Sequence, residues 1–302
     1  MSGAHRPSHR VVYAKLVLVA LLWGGTFIAG RFAVHSLPPA IAAFLRFAIA
    51  SALLLFLCWR LEGGLPRLSR QQFLATLGLG AFGIFLYNVF FFGALMRMEA
   101  GRTALFVSLN PIVTAIAAHF LLKDRLSARQ WLGIAVALAG AGTVITRGDW
   151  LGTLHNMRES FGTGELFMLG AVCSWAAYTL IGRVALRSLS ALVATTYAGL
   201  WGLALLSPVA ASQLNEMTWP LQGWGILGAV AYLGVFGTVV GFVWYGEGVR
   251  TIGPSRTAVF NNLVPAFGVL LAVLLLGEPI LASMIVGGLL SIAGVALTNS
   301  RH

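Results

Sequence analysis

The amino-acid sequence predicts an all-α integral membrane protein, with ten transmembrane helices arranged as two inverted five-helix repeats around a central cavity. Three observations support this fold class. The 302-residue chain is 58% hydrophobic and only 10% charged, its apolar runs are about 20 residues long, and the pattern of its first half recurs in its second half. A β-barrel would show shorter alternating strands, and a soluble domain would need more polar surface.

Ten apolar segments follow one another, each long enough to cross the hydrocarbon core as a helix. The predicted spans are 14–34, 38–59, 73–96, 101–122, 128–146, 163–183, 189–211, 223–248, 254–276 and 280–298. A polar, glycine-rich link over 147–162 divides them into two sets of five. We therefore predict a first repeat over 14–146 and a second repeat over 163–298.

Matching motifs place the two repeats in register. The matched pairs are 101–111 with 255–265 and 79–83 with 233–237, both at an offset of 154, and Trp23 with Trp175 at an offset of 152. Chance resemblance between glycine-rich apolar helices explains one such match more easily than a collinear set. Because five spans bring the chain to the opposite side of the bilayer, the second repeat is predicted to be inverted.

The distribution of charge orients the predicted bundle. The 20 Lys and Arg outnumber the 9 Asp and Glu, but they punctuate the apolar runs instead of clustering with exposed aromatics, which argues against nucleic-acid binding. With both termini cytoplasmic, 14 of the 20 basic residues fall on the cytoplasmic side, as the positive-inside rule requires. The first apolar run is too long for a cleaved signal, so we expect it to be retained.

Reactive and metal-binding patterns are missing from the sequence. It contains no nucleophile elbow, Walker loop or paired carboxylates, and its two cysteines, Cys58 and Cys173, lie in separate apolar segments. We therefore expect no cofactor, no metal and no enzymatic activity.

Aromatic and amide side chains inside the spans are the candidate substrate contacts. Aromatic rings near the membrane midplane offer apolar area and stacking surfaces to a small molecule. Interface belts and polar bonds between neighbouring helices are the alternative roles. The candidate substrate-binding residues are Trp23, Tyr87, Phe91, Phe106, Asn110, Trp175, Tyr178, Trp244, Asn261 and Asn262.

Two prolines occupy matching positions in the fourth and ninth predicted spans. Pro111 and Pro265 each remove a backbone donor and crowd the preceding turn, which frees a carbonyl in the membrane. They are the candidate hinges, with a fixed bend of the bundle as the alternative.

Arg46 and Glu247 are the candidate charged contacts. Arg46 lies inside the second span, while the matching position carries Ala198. It is expected to snorkel, to bond backbone carbonyls, or to meet a substrate carboxylate. For Glu247, a pair with Arg250 on the same helix is favoured over a role in coupling.

Small residues at close-packing spacing mark the fifth and tenth spans, at Gly133, Gly140, Gly287 and Gly294. Such glycines let helix backbones approach closely in lipid. We expect them to pack the two helices within one monomer, with a dimer seam as the alternative, so the protein is predicted to be a monomer or a weak homodimer.

The order and spacing of several motifs over residues 14–298 resemble the drug/metabolite transporter superfamily, in the ten-span branch built from two EamA domains. These motifs are Trp23-Gly24-Gly25-Thr26-Phe27, Phe44-Leu45-Arg46-Phe47, Asn110-Pro111, Val264-Pro265 and Gly277-Glu278-Pro279. The overall pattern is most similar to the YddG-type exporters of aromatic and other neutral amino acids.

The resemblance implies a cavity lined by the first, third, fourth, sixth, eighth and ninth spans. It also implies export of a small-molecule substrate by alternating access across a bacterial cell inner membrane. Cationic drugs and nucleotide-type metabolites are alternative substrates, and a channel is the alternative class. Because no acid lies at the predicted midplane, we expect facilitated diffusion rather than proton antiport.

Overall fold

The described part of the chain is helical and contains no β-strand. The structure is a computed structural model, and it describes residues 9–122, 127–149, 162–217, 224–252 and 260–299. Its helices are α1 (His9–Val34), α2 (Pro39–Glu62), α3 (Arg70–Leu79, Gly80–Leu86 and Tyr87–Leu95), α4 (Ala100–Leu105, Phe106–Leu109 and Asn110–Leu122), α5 (Ala128–Ile145), α6 (Thr163–Ala185), α7 (Ala191–Ser212), α8 (Trp224–Gly234, Val235–Val240 and Gly241–Ile252), α9 (Phe260–Asn262 and Leu263–Leu276) and α10 (Ala282–Asn299).

Most of these helices have the length and composition of membrane spans. In the described ranges, seven helices are long and apolar enough to cross a bilayer, namely α1, α2, α3, α4, α6, α7 and α8. Two shorter apolar helices, in α9 and α10, follow near the C-terminus. The residues 123–126, 150–161 and 253–259, which include most of the predicted link and the start of the ninth predicted span, lie outside the described residues.

Polar side chains fix where several helices begin. Ser69 and Ser127 each form a capping box with a glutamine three residues on, which satisfies orphan N–H groups at the starts of α3 and α5. The start of α4 is capped from elsewhere in the chain. Both carboxylate oxygens of Glu278, between α9 and α10, accept backbone N–H bonds of 2.8 Å from Ala100 and Gly101.

Helices α3 and α8 each contain a π-helical segment, at Gly80–Leu86 and Val235–Val240. These segments coincide with the repeated motifs at 79–83 and 233–237. A π segment shifts the hydrogen-bonding register and leaves carbonyls that need other donors. Side chains supply them: Asn88 Nδ2 donates to the Ile84 carbonyl at 2.6 Å, and Thr238 Oγ1 donates to the Leu233 carbonyl at 3.0 Å.

The two candidate hinge prolines follow 3-10 turns. The turn Phe106–Leu109 precedes Pro111, and the turn Phe260–Asn262 precedes Pro265. A proline cannot donate to the carbonyl four residues earlier, and its ring crowds that turn. The predicted interruptions of α4 and α9 are therefore present at matching positions, while their movement stays a prediction.

The predicted glycines of α5 and α10 pack these helices against each other within the chain. A Cβ at Gly140 would lie 2.6 Å from the Gly287 carbonyl oxygen and 2.5 Å from the Ser291 nitrogen, and a Cβ at Gly294 would lie 2.6 Å from the Gly133 oxygen. Since residue numbers rise along α5 as they fall along α10, the helices are antiparallel. The expectation of packing within one monomer is confirmed for these glycines.

A second contact recurs between the two halves. A Cβ at Gly234 would lie 2.9 Å from the Arg46 carbonyl oxygen in α2, and one at Gly80 would lie 2.9 Å from the Ala198 oxygen in α7. These residues correspond at the offsets of 154 and 152. The third helix of each repeat therefore packs closely on the second helix of the other repeat.

Candidate functional site

Aromatic side chains from four helices meet half-way along the bundle. Trp23 is the fifteenth of the 26 residues of α1, and Trp175 is the thirteenth of the 23 residues of α6. On α3, the ring of Tyr87 is 5.4 Å from Trp175 and stacks on Phe91 at 5.7 Å. The aromatic cluster, as we define it, consists of Trp23, Tyr87, Phe91, Trp175, Tyr178, Phe242 and Tyr245.

Phe242 of α8 connects the two sides of the aromatic cluster. Its ring centroid is 6.4 Å from Trp175 and 5.9 Å from Trp23, which in turn is 5.4 Å from Tyr245. Tilted and edge-on pairs at these distances are the arrangements that ring quadrupoles favour. Six of the seven rings are only half-buried, with Phe91 the buried exception. The cluster therefore offers accessible stacking surface half-way along these helices.

Glycines in and next to the π segments leave space for two of these rings. Trp23 Nε1 donates to the Gly237 carbonyl at 3.0 Å, and its indole lies against Gly241. The ring of Tyr178 lies against Gly83, which matches Gly237 in the other repeat. A Cβ at Gly83 or Gly241 would overlap these rings. The repeated glycine motifs thus position one cluster ring of α1 and one of α6.

Five of the predicted substrate contacts come together in the aromatic cluster: Trp23, Tyr87, Phe91, Trp175 and Tyr178. Two others lie elsewhere. Phe106 packs in the hydrophobic core at 2% exposure, and the Trp244 ring lies 5.8 Å from the Lys15 ammonium. The prediction missed Phe242 and Tyr245, whose spacing of three residues places them on one face of α8.

The three predicted amide side chains differ in their contacts. Asn110 Oδ1 is buried and has no hydrogen-bond partner, so it is an unused acceptor in α4. Asn261 Nδ2 lies 3.5 Å from the Tyr245 hydroxyl, which joins it to the cluster. Asn262 makes no side-chain capping bond to α9. A buried carbonyl oxygen without a donor is costly, so Asn110 has an acceptor available for a ligand N–H.

Ion pairs lie away from the aromatic cluster, near helix ends. Glu247 of α8 contacts Lys15 of α1, with 2.6 Å between Oε2 and Nζ and each side chain 28% exposed. The sequence favoured Arg250 as the partner of Glu247; the Arg250 side chain lies outside the described residues, so that pair stays a prediction. Glu165 of α6, missed by the prediction, pairs with Arg102 of α4 at 2.9 Å.

Arg46 reaches both π-containing helices from α2. Its Nε donates to Thr238 Oγ1 at 3.1 Å, and its Nη1 donates to Asn88 Oδ1 at 3.2 Å. The side chain is 7% exposed. Asn88 and Thr238 escaped prediction because single polar residues in apolar spans carry no periodic signal. Among the described residues, the arginine therefore bonds side-chain oxygens and no backbone carbonyl, and its burial shows that it does not snorkel to an interface.

The chain combines helices of membrane-span length with a repeated sequence pattern and a central aromatic cluster. A model of a transporter family matches this chain. The model described as "EamA-like transporter family" matches residues 11–146 and 162–300. The chain belongs to this family. EamA-like proteins are membrane transporters rather than enzymes, so this chain is a transmembrane transporter.

Relatives of this EamA-like chain match it over nearly its whole length. A Bacillus subtilis (strain 168) protein named "Uncharacterized transporter YyaM" is 32% identical over 95% of this chain and 93% of its own. A "Probable terminal-alkyne amino-acid exporter" of Streptantibioticus cattleyicolor is 26% identical, over 95% and 92%. A "Probable amino-acid metabolite efflux pump" of Salmonella typhimurium is 26% identical, over 92% and 91%.

A solved structure supports the fold of this EamA-like transporter. A chain titled "Crystal structure of protein" superposes with a TM-score of 0.66 at 20% sequence identity, covering 96% of this chain and 98% of its own. Likeness at this identity concerns the fold alone.

Proposed function

We propose that this EamA-like transporter exports small neutral metabolites, foremost aromatic and other neutral amino acids, by alternating access. The observation that carries the proposal is the aromatic cluster. It presents half-buried rings from α1, α3, α6 and α8 half-way along these helices, and α4 adds an unused acceptor at Asn110. Rings and an amide suit an apolar or aromatic side chain joined to N–H donors.

Charge favours this substrate class over cationic drugs. Six of the seven acidic residues that the structure describes lie at helix ends or in connections: Glu62, Glu99, Asp149, Glu165, Glu216 and Glu278. The seventh, Glu247, lies within α8 and is paired with Lys15. None contributes a carboxylate to the aromatic cluster, whereas a buried cation would need one. Without an acid in this part of the bundle to carry protons, we propose facilitated diffusion down the substrate gradient.

Two features support ten spans in two inverted repeats. The pairing of Gly140 with Gly287 and of Gly294 with Gly133 exchanges its members under the offset of 154, and the helices involved run antiparallel. A two-fold axis in the membrane plane would produce this relation. In this arrangement the repeats rock around the aromatic cluster, with α4 and α9 bending at Pro111 and Pro265. In this arrangement the protein lies in the bacterial inner membrane, with both termini in the cytoplasm.

The names of two relatives are consistent with the substrate class, because one is called a "Probable terminal-alkyne amino-acid exporter" and the other a "Probable amino-acid metabolite efflux pump". Their identity to this chain is 26% in each case. At that distance a pocket can change its preferred side chain while the bundle stays the same.

The experiment is transport by purified protein in liposomes. Labelled phenylalanine, methionine and glutamine are offered, and saturable uptake is compared with empty liposomes. We expect uptake of phenylalanine, with Trp175→Ala and Asn110→Ala each lowering it at least tenfold. A buried core position away from the cluster, Leu206→Val, serves as the control. Unchanged uptake in both site variants would show that the aromatic cluster is not the substrate site, and steady single-channel current would favour a channel.

A further inference from the structure

Arg46 is a buried cation without an ion-pair partner in the described part of the chain. It is the eighth of the 24 residues of α2, about 11 Å along the helix axis. Both hydrogen bonds that its guanidinium makes to described side chains go to neutral oxygens, those of Thr238 and Asn88. The two ion pairs found among the described residues involve Lys15 and Arg102 instead. A cation held in this way in a membrane is costly unless an anion joins it.

The guanidinium also has N–H groups that no described side chain accepts. An arginine side chain carries five N–H groups in a planar fork, and Arg46 uses two of them in the described structure. No described side chain accepts from Nη2. That edge lies beside Gly237, at whose α-carbon a Cβ would be 3.9 Å from Nη2. A fork with a free edge is the group that binds carboxylates through two parallel bonds.

Both bonds place the charge next to the aromatic cluster. Asn88 follows Tyr87 in α3, and Thr238 follows Gly237, whose carbonyl accepts the bond from Trp23. The guanidinium is therefore held by residues of α3 and α8, two helices that also supply cluster rings. Its Nη2 approaches Gly237, the residue whose carbonyl holds the Trp23 ring.

Helix packing does not require an arginine at this position. The backbone of residue 46 packs against Gly234, and the backbone of Ala198 packs against Gly80 in the same way in the other half. Alanine thus suffices where the repeat supplies the same contact. The charge is present in only one of two equivalent places, as a substrate with one carboxylate would need.

We propose that Arg46 binds the carboxylate of the transported amino acid while the aromatic cluster receives its side chain. Thr238 and Asn88 hold the guanidinium in place, and the free edge meets the anion. This proposal rests on the proposed function, which it sharpens: the substrate class is small molecules with a carboxylate next to an apolar or aromatic group.

The test compares ligands that differ only in the carboxylate. Proteoliposomes take up labelled phenylalanine in the presence of unlabelled phenylalanine, phenylalaninol, which lacks the carboxylate, or 3-phenylpropionate, which lacks the amine. For the unmodified protein, we expect phenylalaninol to compete at least tenfold more weakly than phenylalanine, and 3-phenylpropionate to compete measurably. Equal competition by phenylalanine and phenylalaninol would overturn the proposal without any substitution.

Substitutions separate substrate binding from a structural role. Arg46→Gln should raise the KM for phenylalanine at least tenfold and bring the phenylalanine-to-phenylalaninol preference close to one, and Arg46→Lys should restore part of that preference. The matched control is Arg31→Gln. Arg31, near the end of α1, donates to the Leu95 carbonyl of α3, so its substitution should not affect the preference. A preference that survives Arg46→Gln overturns the proposal.

The two proposals fail in different ways. Saturable phenylalanine uptake with no preference for the carboxylate refutes the role of Arg46 and leaves amino-acid export standing. Absence of saturable uptake for every amino acid tested, from a protein whose thermal unfolding in detergent is cooperative, refutes both.

Discussion

Glu278 should stabilise the bundle by capping the start of α4, although it lies 178 residues away from its partner. Its carboxylate accepts two backbone N–H bonds of 2.8 Å, from Ala100 and Gly101. Bonds to a charged acceptor contribute about 1.5–3 kcal/mol each, and an anion at a helix N-terminus gains about 0.3–1 kcal/mol more. Glu278 is half-buried, so water will replace part of this in the variant. We expect Glu278→Ala to lower the free energy of unfolding by about 2–3 kcal/mol.

The assay is unfolding in mixed micelles of dodecylmaltoside and SDS, followed by circular dichroism. Glu278→Gln retains one acceptor and loses the charge, so about half the effect is expected. Glu216→Ala, which removes an exposed carboxylate after α7, is the control and should stay within about 0.5 kcal/mol of the unmodified protein. If Glu278→Ala also stays within that margin, the capping argument is wrong.

Three further predictions use the same unfolding assay. Reversing either charge, by Lys15→Glu or Glu247→Lys, should cost about 1–2 kcal/mol, and the double reversal should recover at least half of the combined loss; simple additivity would contradict the pairing. Gly140→Ala should cost at least about 2 kcal/mol because the new Cβ meets backbone atoms, whereas Gly228→Ala, with open space around it, should gain about 0.5–1 kcal/mol. Trp23→Phe should cost about 1–2 kcal/mol by leaving the π-segment carbonyl without its donor; no loss would mean that the bond is unimportant.

Apolar length and repeat spacing were enough to predict where the helices lie. The ends agree closely in places: the second predicted span, 38–59, corresponds to Pro39–Glu62, and the sixth, 163–183, corresponds to Thr163–Ala185. An unbroken apolar run of about 20 residues matches the thickness of the bilayer core, and a helix of that length satisfies its own backbone groups in lipid. The same constraint hides the π segments, since a one-residue register shift changes hydrogen bonds but not composition.

Partners across the bundle could not be predicted in the same way. The sequence singled out Glu247 and Arg46 as charges within spans, but not Lys15, 232 residues from the first, nor Thr238, 192 residues from the second. Which polar groups meet depends on how helices cross, and one chain alone carries no record of that. Aromatic residues near the middle of the spans were easier to predict as a group, because residues half-way along neighbouring helices lie at the same depth.

The exchangeable contact between α5 and α10 is the one expected of a duplicated unit. A two-fold interface presents the same patch on both partners, and here Gly140 meets on α10 the counterparts of the residues that Gly294 meets on α5. In the inverted-repeat arrangement proposed above, this surface corresponds to the dimer interface of a five-helix unit. Joining two such units in one chain leaves each half free to change separately, as arginine at position 46 and alanine at position 198 illustrate.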